Sequence, residues 1–181
     1  MEEKESAVKA GLNAGLILGI GSAILMFLVY FINPNFLVAG SFGFGLLILF
    51  VVVSVVLGIR YRKSIGGFIS FGEAYKFSII AFLVLILVSF VTGILLYTVI
   101  DTGLPSRLAD QSIENTLAIM EKFGAADAFN DDQIDEMKES ILEGYTFFGL
   151  MKTNLISLII YGILALIVAA IVKKKDKSLE Y

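Results

Sequence analysis

The residues of this chain whose type and spacing could do chemistry are few. It contains no cysteine and no histidine, which removes thiolate and imidazole nucleophiles and bases, haem ligation and the common zinc sites. Carboxylates, hydroxyls and amines are left. One set lies in "GGFISFGEAYKFS", Gly66 to Ser78, where Ser70, Glu73 and Lys76 stand three apart and Glu73 is the only acid between Glu5 and Asp101. A lone carboxylate of this kind acts in acid–base catalysis only if a cleft raises its pKa. A second set is the acidic run "DAFNDDQIDE", Asp127 to Glu136, which invites calcium. It lacks the alternating ligands and the central glycine of an EF-hand loop. A run of carboxylates without an apolar pocket reads as a solvated face. No catalytic residue, cofactor or metal is expected, and the chain reads as non-enzymatic.

The elements that must position these residues follow from composition. The chain has 181 residues, of which 57% are hydrophobic and 17% charged, whereas soluble domains are roughly half apolar and about a quarter charged. It reads as an integral membrane protein, all-α, with four transmembrane helices in a bundle. A hydrocarbon core about 30 Å thick needs ~20 apolar residues of helix. Four runs qualify: Gly11–Ile32, Leu37–Ile59, Phe77–Ile100 and Phe147–Val172. Acidic Glu2, Glu3 and Glu5 argue against a signal peptide at the start. Only "NPNF", Asn33 to Phe36, separates the first two runs, so they form an antiparallel hairpin.

Lysine and arginine collect on the cytoplasmic side of such proteins. One side takes Lys4, Lys9, Arg60, Arg62, Lys63, Lys76, Lys173, Lys174, Lys175 and Lys177; the other takes Arg107, Lys122, Lys138 and Lys152. Ten against four places both termini in the cytoplasm, with residues 101–145 extracytoplasmic, and helical spans, which satisfy their backbone groups internally, point to a bacterial-type inner-membrane or comparable helical protein and not an outer-membrane barrel. Helix-end cations at Arg60, Arg62, Lys63, Lys173, Lys174 and Lys175 are expected to touch lipid headgroups. A nucleic-acid partner is not expected, because the chain lacks a basic domain with stacking aromatics.

In the first run, Ala7, Gly11, Gly15, Gly19 and Ala23 recur every four residues. That spacing gives one helix face on which another backbone can approach closely, a main source of helix association in lipid. The partner is another helix of the same chain or a second copy. Ser41 with Gly45, Ser89 with Gly93, and Ala165 with Ala169 are smaller echoes. No charged residue lies in the middle of a run, where ion pathways and proton relays usually need one. The polar residues inside are mild: Ser22, Ser54, Ser89, Thr92, Thr98, Asn154, Ser157 and Tyr161. They back-bond to their own helix or bridge to a neighbour. Asn13 and Asn154 are the best candidates for contacts between helices.

Between Asp101 and Glu143 stand eleven acidic residues and three basic ones. "LPSRLADQSIENTLAIMEKFG" starts with Pro105 and Ser106, carries Ile113, Leu117 and Met120 on one stripe, and stops at Gly124. "NDDQIDEMKESILEGYTFF" opens with Asn130 as N-cap and Gln133 three residues on, and Ile134, Met137, Ile141 and Tyr145 repeat at helical spacing. The segment reads as an amphipathic helical hairpin whose second arm leads into the fourth span.

The corner before the third span is built from the same rules. Ser70 and Glu73 have capping-box spacing, Glu73 and Lys76 are neighbours on one helix face, and Gly66 and Gly67 supply the turn. The third helix is therefore expected over 71–100 and not from Phe77, giving spans of about 11–32, 37–59, 71–100 and 147–172 in a single membrane domain, 1–181. On "GLNAGLILG", on the basic end of the second run and above all on "GGFISFGEAYK", Gly66 to Lys76, the chain resembles the bacterial membrane-protein family catalogued as domain of unknown function 4199. The resemblance implies a topology and no activity, cofactor or catalytic residue. The function expected is that of an interaction or assembly subunit packing through the Gly11–Gly15–Gly19–Ala23 face, with membrane lipids and a second copy or another membrane protein as partners. The alternative is a small transporter, channel or lipid-binding membrane protein.

Overall fold

The computed structural model describes residues 6–125 and 129–175. Glu2, Glu3, Lys4, Glu5, Asp127 and Lys177 lie outside the described residues. The elements are α1 (Ala7–Ile32), a 3-10 turn (Pro34–Val38), α2 (Gly40–Ser64), α3 (Phe71–Ile94, continued by a π-helical turn, Leu95–Ile100), α4 (Leu104–Lys122), α5 (Asp131–Gly144) and α6 (Phe147–Val172). Among the described residues there is no strand. Helices α1, α2, α3 with its π turn, and α6 are long and apolar enough to cross a membrane. They are apolar all round, so large side chains such as Leu87 at 61% and Ile159 at 69% stay exposed. That pattern suits lipid and not water.

The limits of α2 differ from those of its apolar run. It begins at Gly40, not Leu37, because Asn33 caps a 3-10 turn by accepting from the Asn35 amide at 3.0 Å, and that turn consumes Phe36, Leu37 and Val38. It runs on to Ser64, past Arg60, Arg62 and Lys63. Charged residues do not end a helix; they only leave the hydrocarbon.

The chain divides into two compact units. The first holds residues up to Ala23, Leu46–Ser89 and Leu155 onward. Its core is α3, whose Ala74, Phe77, Ser78, Ala81, Phe82 and Leu85 are buried. Small residues of the neighbours make room for these rings. Ala7, Ala10 and Ala14 come from α1, Gly58 from α2, and Ala165 and Ala169 from α6. Tyr61 stacks on Phe77 with centroids 5.5 Å apart, and Phe82 meets Tyr161 at 5.0 Å.

Hydroxyls in this unit are mostly consumed locally or in pairs. Ser78 Oγ donates to the Ala74 carbonyl at 2.8 Å, and Ser22 and Ser89 join α1 to α3 at 3.4 Å. Ser54 departs from the expected back-bonding: its hydroxyl is buried and has no hydrogen-bond partner among the described residues.

The second unit holds Ile24–Gly45 and Phe90–Asn154. Leu96, Leu104 and Leu108 form its core, with Met26, Phe27, Tyr30, Tyr97 and Tyr145 around them. The π turn ends with the Asp101 amide donating to the Leu96 carbonyl at 3.0 Å. Asp101 then accepts from Tyr30 at 3.1 Å and from Arg107 at 2.6 Å, tying the end of α1 to the start of α4. Asn35 donates to Gln111 at 2.6 Å, a second tie to α4. Gly124, at φ +74°, closes α4: its amide reaches the Glu121 carbonyl and that of Ala125 reaches Met120. Asn130 and Gln133 make both halves of a capping box at the start of α5. Lys138 pairs with Asp110, joining α5 to α4. Thr146 starts α6 by accepting from the Gly149 amide at 3.1 Å. Asn154, expected as a contact between helices, instead donates to the Leu150 carbonyl of its own helix at 2.7 Å. A back-bond inside the helix satisfies the amide with no partner to position.

Candidate interfacial corner

The segment from Ile65 to Lys76 is a chain reversal locked at several points. Gly66 and Gly67 have φ of +112° and +87°, a region closed to ordinary L side chains. The Gly67 amide donates to the Arg62 carbonyl at 2.8 Å and that of Gly66 to Lys63 at 3.4 Å. This pattern satisfies carbonyls that the end of α2 would otherwise leave bare. At the other end, Ser70 Oγ accepts from the Glu73 amide at 3.2 Å and starts α3. Glu73 Oε1 accepts from Lys76 Nζ at 3.1 Å. Both side chains are about half exposed, at 48% and 52%, and such a pair contributes ~0.2–1 kcal/mol. Glu73 stands in the first turn of α3, where a carboxylate suits the positive end of the helix dipole.

Between these two caps the corner is held by a part of the chain a hundred residues away. Ile69 and Lys174 exchange both backbone hydrogen bonds at 3.0 Å, an isolated antiparallel bridge. Lys173 lies over the Phe71 ring at 5.7 Å and Lys174 over Phe68 at 5.5 Å, within the reach of cation–π attraction. Arg62 Nη1 donates to the Val172 carbonyl at 2.7 Å. A cation on the last carbonyl of a helix satisfies an orphan acceptor and opposes the negative end of the dipole.

Three of the six cations expected at headgroups are thus engaged within the chain. Arg62 caps α6, and Lys173 and Lys174 sit on aromatic rings. Arg60, Lys63 and Lys175 are exposed. Sequence reasoning missed the bridge and the cap, since no local signal links Ile69 or Arg62 to residues so far along the chain. Phe68 and Phe71, three apart beside a lysine-rich tail, were the one available clue.

The glycine face of α1 meets α3. A Cβ at Gly11 would lie 2.8 Å from the Phe77 carbonyl oxygen, one at Gly15 2.5 Å from Val84 Cβ and 2.7 Å from the Ala81 oxygen, and one at Gly19 2.7 Å from Val88 Cβ. Ala23, next on that face, is half-buried. The stripe is filled from within the chain, so a second copy could use it only by displacing α3.

A groove of about 410 Å³ runs beside the corner, lined by Ser6, Val8, Tyr61, Ile65, Phe68, Glu73 and Lys76 among others. Its two charges neutralise each other. Among the described residues no group of three His, Cys, Asp or Glu stands where it could hold a metal ion. In the acidic segment that follows α3, the Asp101 carboxyl is held below the ordinary carboxylate range, first by the hydrogen bond from Arg107 and then by that from Tyr30, against the upward pull of burial. The arrangement joins α1 to α4 and offers no acid–base pair.

No curated protein and no solved structure matches the chain. Residues 13–174 do match a family model described as "Protein of unknown function (DUF4199)", a span that takes in the α1 glycine face from Gly15 on, the corner and its bridge to Lys174. The chain belongs to that family.

Proposed function

We propose that the chain is a non-enzymatic assembly subunit of a bacterial inner membrane. Both termini are cytoplasmic, and residues 101–145 form a hairpin on the outer side. The bias of ten cations against four supports the orientation. One observation carries the assembly reading. Ser41 and Gly45, four apart on one face at the start of α2, are exposed, and no atom of another described element lies within 4 Å of where a Cβ at Gly45 would be. In α1 the equivalent face is closed by α3, so the open small-residue seam is that of α2. Where lipid gives apolar contact little net drive, such a seam takes another helix, of a second copy or of another membrane chain.

The test replaces Gly45 with Leu in the full chain and follows cross-linked species in native membranes. Monomer and free chain should rise relative to the wild type, with folding unchanged because nothing lies against Gly45. Cross-linked species at wild-type abundance and size would refute the assembly reading.

A further inference from the structure

We propose that a second groove, between α1 and α2, is a headgroup site for one anionic phospholipid, with the phosphate on the Arg60 guanidinium. The groove has a volume of about 260 Å³ and is graded along its length. Asn13, Arg60 and Ser64 line its polar part, and Ala14, Ile17 and Leu57 its apolar wall. Tyr61, buried and stacked on Phe77, is its floor.

Among the described residues, Arg60 is the only charged one lining this groove. Among the described residues nothing accepts a hydrogen bond from its guanidinium or pairs with its charge. The basic residues around it are otherwise disposed. Arg62 is spent on the Val172 carbonyl, Lys76 on Glu73, and Lys173 and Lys174 on aromatic rings. Lys63 and Lys175 are exposed and do not line the groove. One unneutralised guanidinium in a concavity selects an anion, and its planar fork suits the paired oxygens of a phosphate.

The apolar wall decides which phosphate. Ile17 is 56% exposed and sits two helical turns or less from the polar end, on a helix apolar enough to lie in lipid. A free phosphate would leave that wall unused. A phosphatidyl group places phosphate and glycerol beside Arg60, Asn13 and Ser64 while an acyl chain follows Leu57 and Ile17. The volume holds the headgroup end of the lipid and leaves its tails in the bilayer. This site is separate from the α2 seam, so either proposal can fail without the other.

The test is native mass spectrometry of the full chain in mild detergent, titrated with phosphatidylglycerol. Phosphatidylcholine of the same acyl chains is the neutral comparison, and inorganic phosphate the competitor. One phosphatidylglycerol should be retained in preference to phosphatidylcholine. Arg60→Ala should lower that retention roughly fivefold or more, as for loss of one cation at an anionic surface, and Arg60→Lys should restore part of it. Asn13→Leu, which fills the groove and keeps the charge, should lower it as well, whereas Lys63→Ala and Lys175→Ala should not. Wild-type retention in Arg60→Ala would overturn the site. So would equal losses in all three alanine variants, which mean diffuse attraction to a basic rim. Equal binding of phosphatidylcholine, or displacement by inorganic phosphate, would overturn it too.

Discussion

At the scale of single residues, the decisive quantity on α1 is the space left for a methyl group. A Cβ at Gly15 would meet Val84 Cβ at 2.5 Å and the Ala81 oxygen at 2.7 Å. The second neighbour is backbone and cannot rotate away. Gly15→Ala should therefore destabilise the chain by about 1–3 kcal/mol, the usual cost of overfilling a packed core. Gly21 lies on the same helix with nothing within 4 Å, so Gly21→Ala should be at least as stable as the wild type. Thermal unfolding of both variants in one detergent separates the two cases, and equal midpoints would mean that the α1–α3 contact is looser than it looks. The four-residue spacing of these glycines is legible in the sequence. Their partner is not, because any apolar helix can offer a surface to such a stripe. What selects α3 is shape: Ala81 and Val84 face Gly15 and Val88 faces Gly19, a match that exists only once both helices are in register. Ser54 marks a similar limit. Its place in an apolar helix is plain from sequence, but its lack of a hydrogen-bond partner among the described residues depends on side chains from other elements.

At the scale of elements, helix ends were the most legible feature and long-range ties the least. Asn130 with Gln133, Ser70 with Glu73, and Gly124 are local signals, because a cap is satisfied within four residues of itself. The start of α2 shows the opposite case, since an apolar residue is equally at home in a 3-10 turn and in a helix. Asp101 is a long-range tie with a measurable consequence. Arg107 and Tyr30 favour its ionised form, so its pKa in the folded chain lies below the ordinary 3.8. A group depressed on folding contributes stability above its unfolded pKa and loses it as pH falls through the folded value. The wild type should thus melt above Asp101→Asn at neutral pH. That difference should begin to shrink as pH falls through the ordinary carboxylate range, where the unfolded chain takes up its proton first, and vanish once the folded Asp101 is protonated too. A gap that stays constant down to strongly acidic pH would show that charge at Asp101 is not what holds α4 to the end of α1. The Arg107 guanidinium is more than half exposed, so solvent screens the pair and the difference in midpoint should be small.

At the scale of the whole molecule, the α4–α5 segment and the corner are proposed to face opposite sides of a membrane, and the chain is built to test this. It has no cysteine, so a single one introduced at Ser112 or at Lys175 is the only thiol that a maleimide can find. Ser112 lies on α4, where its hydroxyl only back-bonds to the Leu108 carbonyl at 2.7 Å. Lys175 is exposed beyond the Ile69–Lys174 bridge. In intact spheroplasts a membrane-impermeant maleimide should label Ser112→Cys and leave Lys175→Cys unlabelled, and permeabilised cells should label both. The reverse pattern would invert the topology. It would also put four cation-bearing helix ends on the outer face, those at Lys9, Arg60–Lys63, Lys76 and Lys173–Lys175, against the cation bias that governs insertion. Labelling of both sites in intact cells would be worse for the reading, because a spanning α6 puts Ser112 and Lys175 on opposite sides, and four spans then require the corner and the tail to share one. The tie between Ile69 and Lys174 makes the same demand independently: a backbone hydrogen-bonded pair cannot have its two members on opposite faces of a bilayer.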